Sequence, residues 1–199
     1  MAKVAATAII HPNVTIGEDV VIEDYCVIGL PFQGLEGEST VIGDGSNIRA
    51  GTYIYAGNQI GKNFQTGNKA NIRELNVIGD DVSIGTLSVI EHHVIIGNGV
   101  RIHSQVFVPE YTELEDNCWL GPNVVVTNAR YPKHPTVKDE LKGAHIKQNA
   151  KIGANTTILP GVTIGKDSLT GAGSVVTKDV ADEVITVGSP ARVLRKIDY

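Results

Sequence analysis

An aliphatic residue returns every six positions through most of this chain. The register runs Ile42, Ile48, Ile54 and Ile60, passes Thr66, and resumes at Ile72, Ile78, Ile84, Ile90, Ile96, Ile102, Val108, Leu114, Leu120 and Val126. It occurs earlier at Ile10, Ile16, Ile22 and Ile28, and later at Ile146, Ile152, Ile158, Ile164, Thr170 and Val176. Of 25 such slots, 23 hold Ile, Val or Leu. A fixed short period of this kind marks a solenoid built of repeated units. A helical reading fails because the 3.6-residue period is absent and Gly and β-branched residues are frequent. An ordinary sandwich would not hold one beat over fourteen consecutive intervals.

Alternate side chains of a strand point to one face, so the slot residue and the residue two before it both face inward. The earlier position is small or apolar in most repeats, as in Val20, Cys26, Ala70, Val82, Val94, Val106, Cys118 and Val124. Twelve slots are followed directly by Gly, which is expected to ease the backbone through a corner. Short strands separated by corners wrap into a prism, with backbone hydrogen bonds running from coil to coil.

The 199 residues form a single expected domain, with excursions near 30–40 and 128–143 and a C-terminal cap near 181–199. The first excursion reads LPFQGLEGEST and the second NARYPKHPTVKDELKG. Loops on a rigid repeat scaffold are favoured places for ligands. A net charge of −5 gives no reason to expect nucleic-acid binding. No secretory h-region, membrane-length apolar run or lipidation motif is present, so the cytoplasm is the expected compartment and no membrane partner is expected. Cys26 and Cys118 fall on core positions and read as small buried thiols.

The segment IGANTTILPGVTIGKDSLTGAGSVVTKDV, followed by VGSPAR, closely resembles the C-terminal half of hexapeptide-repeat acetyltransferases. The resemblance implies an all-β, left-handed parallel β-helix; the handedness runs against the usual crossover preference and comes from the resemblance alone. It also implies acetyl-CoA as acyl donor, lying along the outside of the prism between subunits of a homotrimer. By position, Gly153, Ala154, Gly171, Ala172 and Lys178 match the part that borders the coenzyme, and Arg192 and Arg195 are candidates for its phosphates. The middle of the chain, TGNKANIRELNVIGDDVSIG and RIHSQVFVPEYTELEDNCWLGPNVVVTNARYP, resembles N-acetyltransferases of nucleotide-linked amino sugars and, more broadly, polysaccharide O-acetyltransferases. The expected acceptor is therefore the amino group of a nucleotide-linked sugar, with a sugar hydroxyl as the alternative.

Acetyl transfer asks for a proton acceptor, an oxyanion donor and alignment of nucleophile with thioester. His103 follows a slot directly, and is the first candidate base; His93 is the second. In related galactoside and maltose O-acetyltransferases, a motif resembling T-G-H-P opens the long loop and supplies the histidine. Here that segment is Thr127, Asn128, Ala129 and Arg130, so the histidine is missing, which favours the amine acceptor. Asn128 and Tyr131 open the loop beside the expected thioester, while Asn68, Arg73 and Glu74 form a polar break suited to orienting the sugar or its diphosphate. A zinc site of the γ-carbonic-anhydrase kind is not expected, because nothing follows the adjacent His92 and His93 at the needed five-residue spacing. A non-catalytic solenoid scaffold is the remaining alternative.

Overall fold

The computed structural model of the protein describes residues 1–34 and 37–198. Leu35 and Glu36, within the first expected excursion, lie outside the described residues. Two- to six-residue strands wind through three sheets, in strict rotation from Lys3–Val4 to Val175–Val176. The first sheet has 11 strands, the second nine and the third eight. All pair in parallel except the last strand, Ala191–Lys196, which folds back antiparallel on Val184–Gly188. This is the parallel β-solenoid that the six-residue beat implies, and it matches the left-handed hexapeptide fold. It is slightly longer than the slots indicate, because Lys3–Val4 and Val184–Gly188 add rungs at the two ends of the first sheet. The expected cap therefore begins as one more rung.

The inward positions are as the alternation requires. Ile22, Ile28, Ile42, Ile48, Ile54, Ile72, Ile84, Ile90, Ile96, Ile102 and Leu114 are fully buried. Each contributes about 1.5–3 kcal/mol of apolar burial. Cys26 and Cys118 are buried and unpaired; burial raises both thiols, Cys118 to about 12, so neither is a ready nucleophile. Thr66, the break in the beat, has a local partner set. Its hydroxyl accepts from the Arg49 N–H at 2.9 Å and meets the Thr52 hydroxyl at 3.1 Å. A buried hydroxyl is tolerated because it is bonded.

The corner glycines act differently from the sequence expectation. Most of those directly after a slot do not adopt positive φ; the left-handed residue comes two positions later, as at Asn63, Asp81, Asn123 and Asn155. Glycine follows the slot because the coils are too close there for a side chain. A Cβ on Gly85 would sit 2.3 Å from the carbonyl carbon of His103, and one on Gly153 would sit 2.4 Å from the amide nitrogen of Ala172.

Both excursions leave the prism at the same edge, between the second and third sheets. One follows Val27–Leu30 and the other follows Val125–Val126. The second contains a short 3-10 turn, Val137–Glu140, and ends where His145–Ile146 pairs with Glu113–Leu114. The ladder closes beneath the excursion without losing register.

Candidate active site

Residues 18 apart stack on successive coils, so each edge of the prism carries columns of like-placed side chains. The first edge joins the first and second sheets. Its column after the slot reads Gly67, Gly85, His103, Gly121, Gly153 and Gly171. Between Gly67 and Gly171 of that column His103 is the one residue with a side chain; nearer the N-terminus the same column carries Glu23 and Arg49. Beside it runs the outward row of the first sheet: Gln65, Ser83, Arg101, Trp119, Lys151 and Leu169, in continuous register.

Two hollows lie along this row. One, of about 230 Å³, is lined by Gln65, Gly67, Ser83, Gly85, Arg101 and His103. The other, of about 560 Å³ and mostly apolar, is lined by Trp119, Lys151, Gly153, Leu169, Gly171 and Ala172. The His103 and Trp119 rings stand edge to face between them, 4.8 Å apart. Burial, then the charge of Arg101, lowers the His103 pKa, which keeps the imidazole neutral near pH 7. Arg101 Nε donates to His103 Nε2 at 3.2 Å. The lone pair that a base would use is engaged by that bond.

The second edge carries a denser polar column. Arg73 Nε and one terminal nitrogen donate to the two oxygens of Glu74 at 2.8 and 3.0 Å. Its other terminal nitrogen reaches Glu91 at 3.4 Å. The guanidinium also lies over the rings of Phe32 and Tyr55, 4.9 and 5.2 Å from their centroids. Glu74 is only 4% exposed. Burial raises the Glu91 carboxyl against the lowering effect of Arg73. Under this column, Asn58 and Asn76 both donate to the Arg73 carbonyl, at 2.8 and 2.7 Å. Arg73 and Glu74, expected to orient the sugar, are thus committed to one another and to the excursion that carries Phe32.

Further along the same edge, His92 and His93 place their Nδ1 atoms 2.8 Å apart. Glu110 Oε1 lies 3.6 Å from His92 Nε2, and Asn128 Nδ2 donates to Glu110 Oε2 at 2.6 Å. Tyr111 packs its ring against both imidazoles.

The expected site residues therefore divide. Gly153, Gly171, Ala172 and His103 share the first edge, with Ala154 half-buried at the same corner and Asn68 exposed on it. His93, Asn128, Arg73 and Glu74 share the second, and Tyr131 is 63% exposed on the excursion beyond them. Lys178 and Arg192 line a separate hollow of about 250 Å³ against the C-terminal hairpin, and Arg195 is paired with Asp198. One chain alone does not bring the two edges together. Arg101, Trp119, Glu91 and Glu110 were not singled out from the sequence. An 18-residue column spacing would have marked the first two, since both share the outward position of the first sheet.

Among the described residues, no group of three or more His, Cys, Asp or Glu is arranged to hold a metal ion, and no helix is long and apolar enough to cross a membrane.

The fold and its bare corner ridge define a hexapeptide-repeat left-handed β-solenoid, related in sequence to acyltransferases built the same way. Residues 143–178 match the family described as bacterial transferase hexapeptide (six repeats), and residues 1–96 match the GMPPB C-terminal domain. Galactoside O-acetyltransferase of Lactococcus lactis is 36% identical over 112 residues, 53% of this chain and 54% of that protein. The bifunctional protein GlmU of Carboxydothermus hydrogenoformans is 31% identical over 202 residues, 96% of this chain and 44% of that protein. The chain thus spans about half the length of these curated relatives. The solved structure of an Arabidopsis UDP-N-acetylglucosamine acyltransferase superimposes with a TM-score of 0.58 at 18% identity, covering 97% of this chain and 74% of that one. That likeness is one of fold.

Proposed function

We propose that this protein is an acyl-CoA-dependent acetyltransferase that uses acetyl-CoA and acts on a sugar. The observation that carries the reading is the mostly apolar groove along the first edge. Gly153, Gly171 and Ala172 leave the backbone open there, while Trp119 and Leu169 offer apolar surface to a flexible arm. Backbone N–H groups at such a ridge suit a developing oxyanion. Acetyl-CoA is the donor, with the arginines and Lys178 near the C-terminal hairpin as candidates for its phosphates. A homotrimer would bring the second edge of one subunit toward the first edge of another, so that each cleft uses both halves of the divided site. Exposed Tyr53, Phe107 and Val125 on the second sheet, with Val77 and Ile95 on the third, supply apolar surface for that assembly.

A sugar hydroxyl is the first acceptor, because galactoside O-acetyltransferases from two bacteria match more than half of the chain. The amino group of a nucleotide-linked sugar is the second. The long loop opens with Thr127-Asn128-Ala129-Arg130 and carries no histidine there, and a neutral amine needs less help with its proton. The deciding measurement is release of free CoA thiol from acetyl-CoA with a panel of hydroxyl sugars and matched amino sugars, free and nucleotide-linked. Turnover with hydroxyl acceptors supports the first reading and turnover only with amines the second. Absence of coenzyme binding would leave the solenoid without an acyltransferase role.

A further inference from the structure

We propose that the hollow beside Arg101 receives the acceptor and that the acceptor is an acidic sugar. Arg101 binds its carboxylate or phosphate group, and His103 and Trp119 are positioning residues for Arg101. The inference rests on the acetyltransferase reading above and narrows its substrate. Arg101 stands on the outward row of the first sheet, in register between Ser83 and Trp119. Its Nε donates to His103 Nε2 at 3.2 Å. That bond asks for a neutral imidazole with its lone pair on Nε2. Burial, then the charge of Arg101, favours that state of His103. The Trp119 ring stands edge to face with the imidazole, 4.8 Å away, and holds its plane. The guanidinium is thus aimed through its Nε, and its terminal nitrogens keep the fork that matches a carboxylate or phosphate.

Charge and hydrogen-bonding groups in the hollow agree on the ligand. Arg49, Arg73 and Arg195 are each paired with a carboxylate. Arg101 has no carboxylate partner among the described residues, and no Asp or Glu lines its hollow. A cation without a counter-charge favours an anion there over an ammonium group. The other polar side chains of the lining include Gln65, Ser83, Thr86 and Ser104. Among the described residues, none of these four is hydrogen-bonded through its side chain to another protein group. Their hydroxyls and amide suit the hydroxyls of a sugar ring. The volume of about 230 Å³ is below the roughly 300–1,000 Å³ of pockets for drug-sized ligands. It suits one ring better than a whole nucleotide sugar.

Position separates acceptor from donor. The apolar groove begins at Trp119, and Lys178 and Arg192 line the hollow against the C-terminal hairpin. A donor lying along the groove with its phosphates at the hairpin brings its thioester to the Trp119 end, next to the Arg101 hollow.

The test measures acetyl transfer by the full chain to glucuronate and galacturonate, to glucose and galactose 6-phosphates, and to uncharged glucose and galactose. The carboxylate and phosphate arms tell which oxyanion is used. The readout is kcat/KM for each charged acceptor divided by that for its uncharged parent. Wild type is expected to favour a charged acceptor by at least about tenfold, as for one hydrogen bond to a charged group. Arg101→Gln is expected to bring the ratio to about one, and Arg101→Lys, which keeps the charge without the fork, to restore part of it. His103→Phe removes the acceptor of the Arg101 bond and is expected to lower the ratio severalfold, while His103→Gln restores it. A merely structural His103 would slow both acceptors alike. A wild-type ratio at or below one would overturn the proposal. So would an Arg101→Gln variant that slows both acceptors equally, loses acetyl-CoA binding instead, or dissociates the oligomer. The same sugars titrated without donor, followed by ligand-observed NMR, read the hollow apart from turnover. If no sugar is acetylated, the enzymatic reading fails, while the titration still decides whether the hollow takes an acidic sugar through Arg101.

Discussion

Replacing Arg73 with Met separates a structural role from a substrate-binding one. Arg73 makes two hydrogen bonds to Glu74 at 2.8 and 3.0 Å, an ion pair to Glu91 at 3.4 Å, and cation–π contacts to Phe32 and Tyr55. Glu74 is only 4% exposed, so the variant strands a buried carboxylate. Breaking a buried pair in this way costs about 3–5 kcal/mol. Each lost cation–π contact adds about 0.5–1 kcal/mol. A chain of this length loses roughly 2–4 °C of Tm per kcal/mol. The expected fall in Tm is therefore on the order of 10 °C, with faster proteolysis in the excursion that carries Phe32. The double change Arg73→Met with Glu74→Leu should recover most of the loss, because neither charge is then buried alone. Thermal and urea unfolding at fixed protein concentration measure both variants. A single variant less than about 1 kcal/mol weaker, on the scale of an exposed pair, with an acceptor KM that rises instead, would refute the structural assignment.

Two other variants probe the ridge and its opposite corner. Gly153→Val places a branched side chain where even a Cβ would sit 2.4 Å from the Ala172 amide. It should destabilise by about 1–3 kcal/mol, as overpacking does, and weaken acetyl-CoA binding measured by calorimetry. Glu115 accepts from the Gln148 N–H at 2.9 Å and pairs with His145 at 2.7 Å; its carboxyl is held below the ordinary value, chiefly by the Gln148 bond. Its contribution is present above the unfolded value and lost as pH falls through the folded one. Wild type should exceed Glu115→Gln by less than about 1 kcal/mol at neutral pH, since the carboxylate is 36% exposed. The gap should narrow in urea unfolding as pH falls below the ordinary carboxylate range.

The core and the groove differ in how much a linear reading can reach. Ile84, Ile90 and Ile96 could be placed inward from alternation alone, because strand direction is a local property. The glycine ridge is visible in the sequence, but the reason for it is not. Gly85 and Gly153 are required by the neighbouring coil, a contact that exists only after the chain has gone once around. Arg73 and Glu74 looked like a polar break open to a ligand. Arg73 pairs with its sequence neighbour Glu74, but Phe32 and Glu91, which complete its surroundings, stand one or more coils away and are not visible in the local sequence.

The six-residue beat by itself determined the solenoid and the inward face of each strand, since side-chain alternation and corner spacing act within a few residues; the three-sided rotation is a property of the coil-to-coil pairing. The tertiary structure decided which outward side chains meet. Trp119 pairs with Lys151 across a 16-residue excursion, and Asn128 reaches Glu110 while Glu110 faces His92. Those contacts depend on coil-to-coil register and on which edge releases each loop. They separate a glycine groove on one edge from a histidine array on another, a division that no local pattern contains.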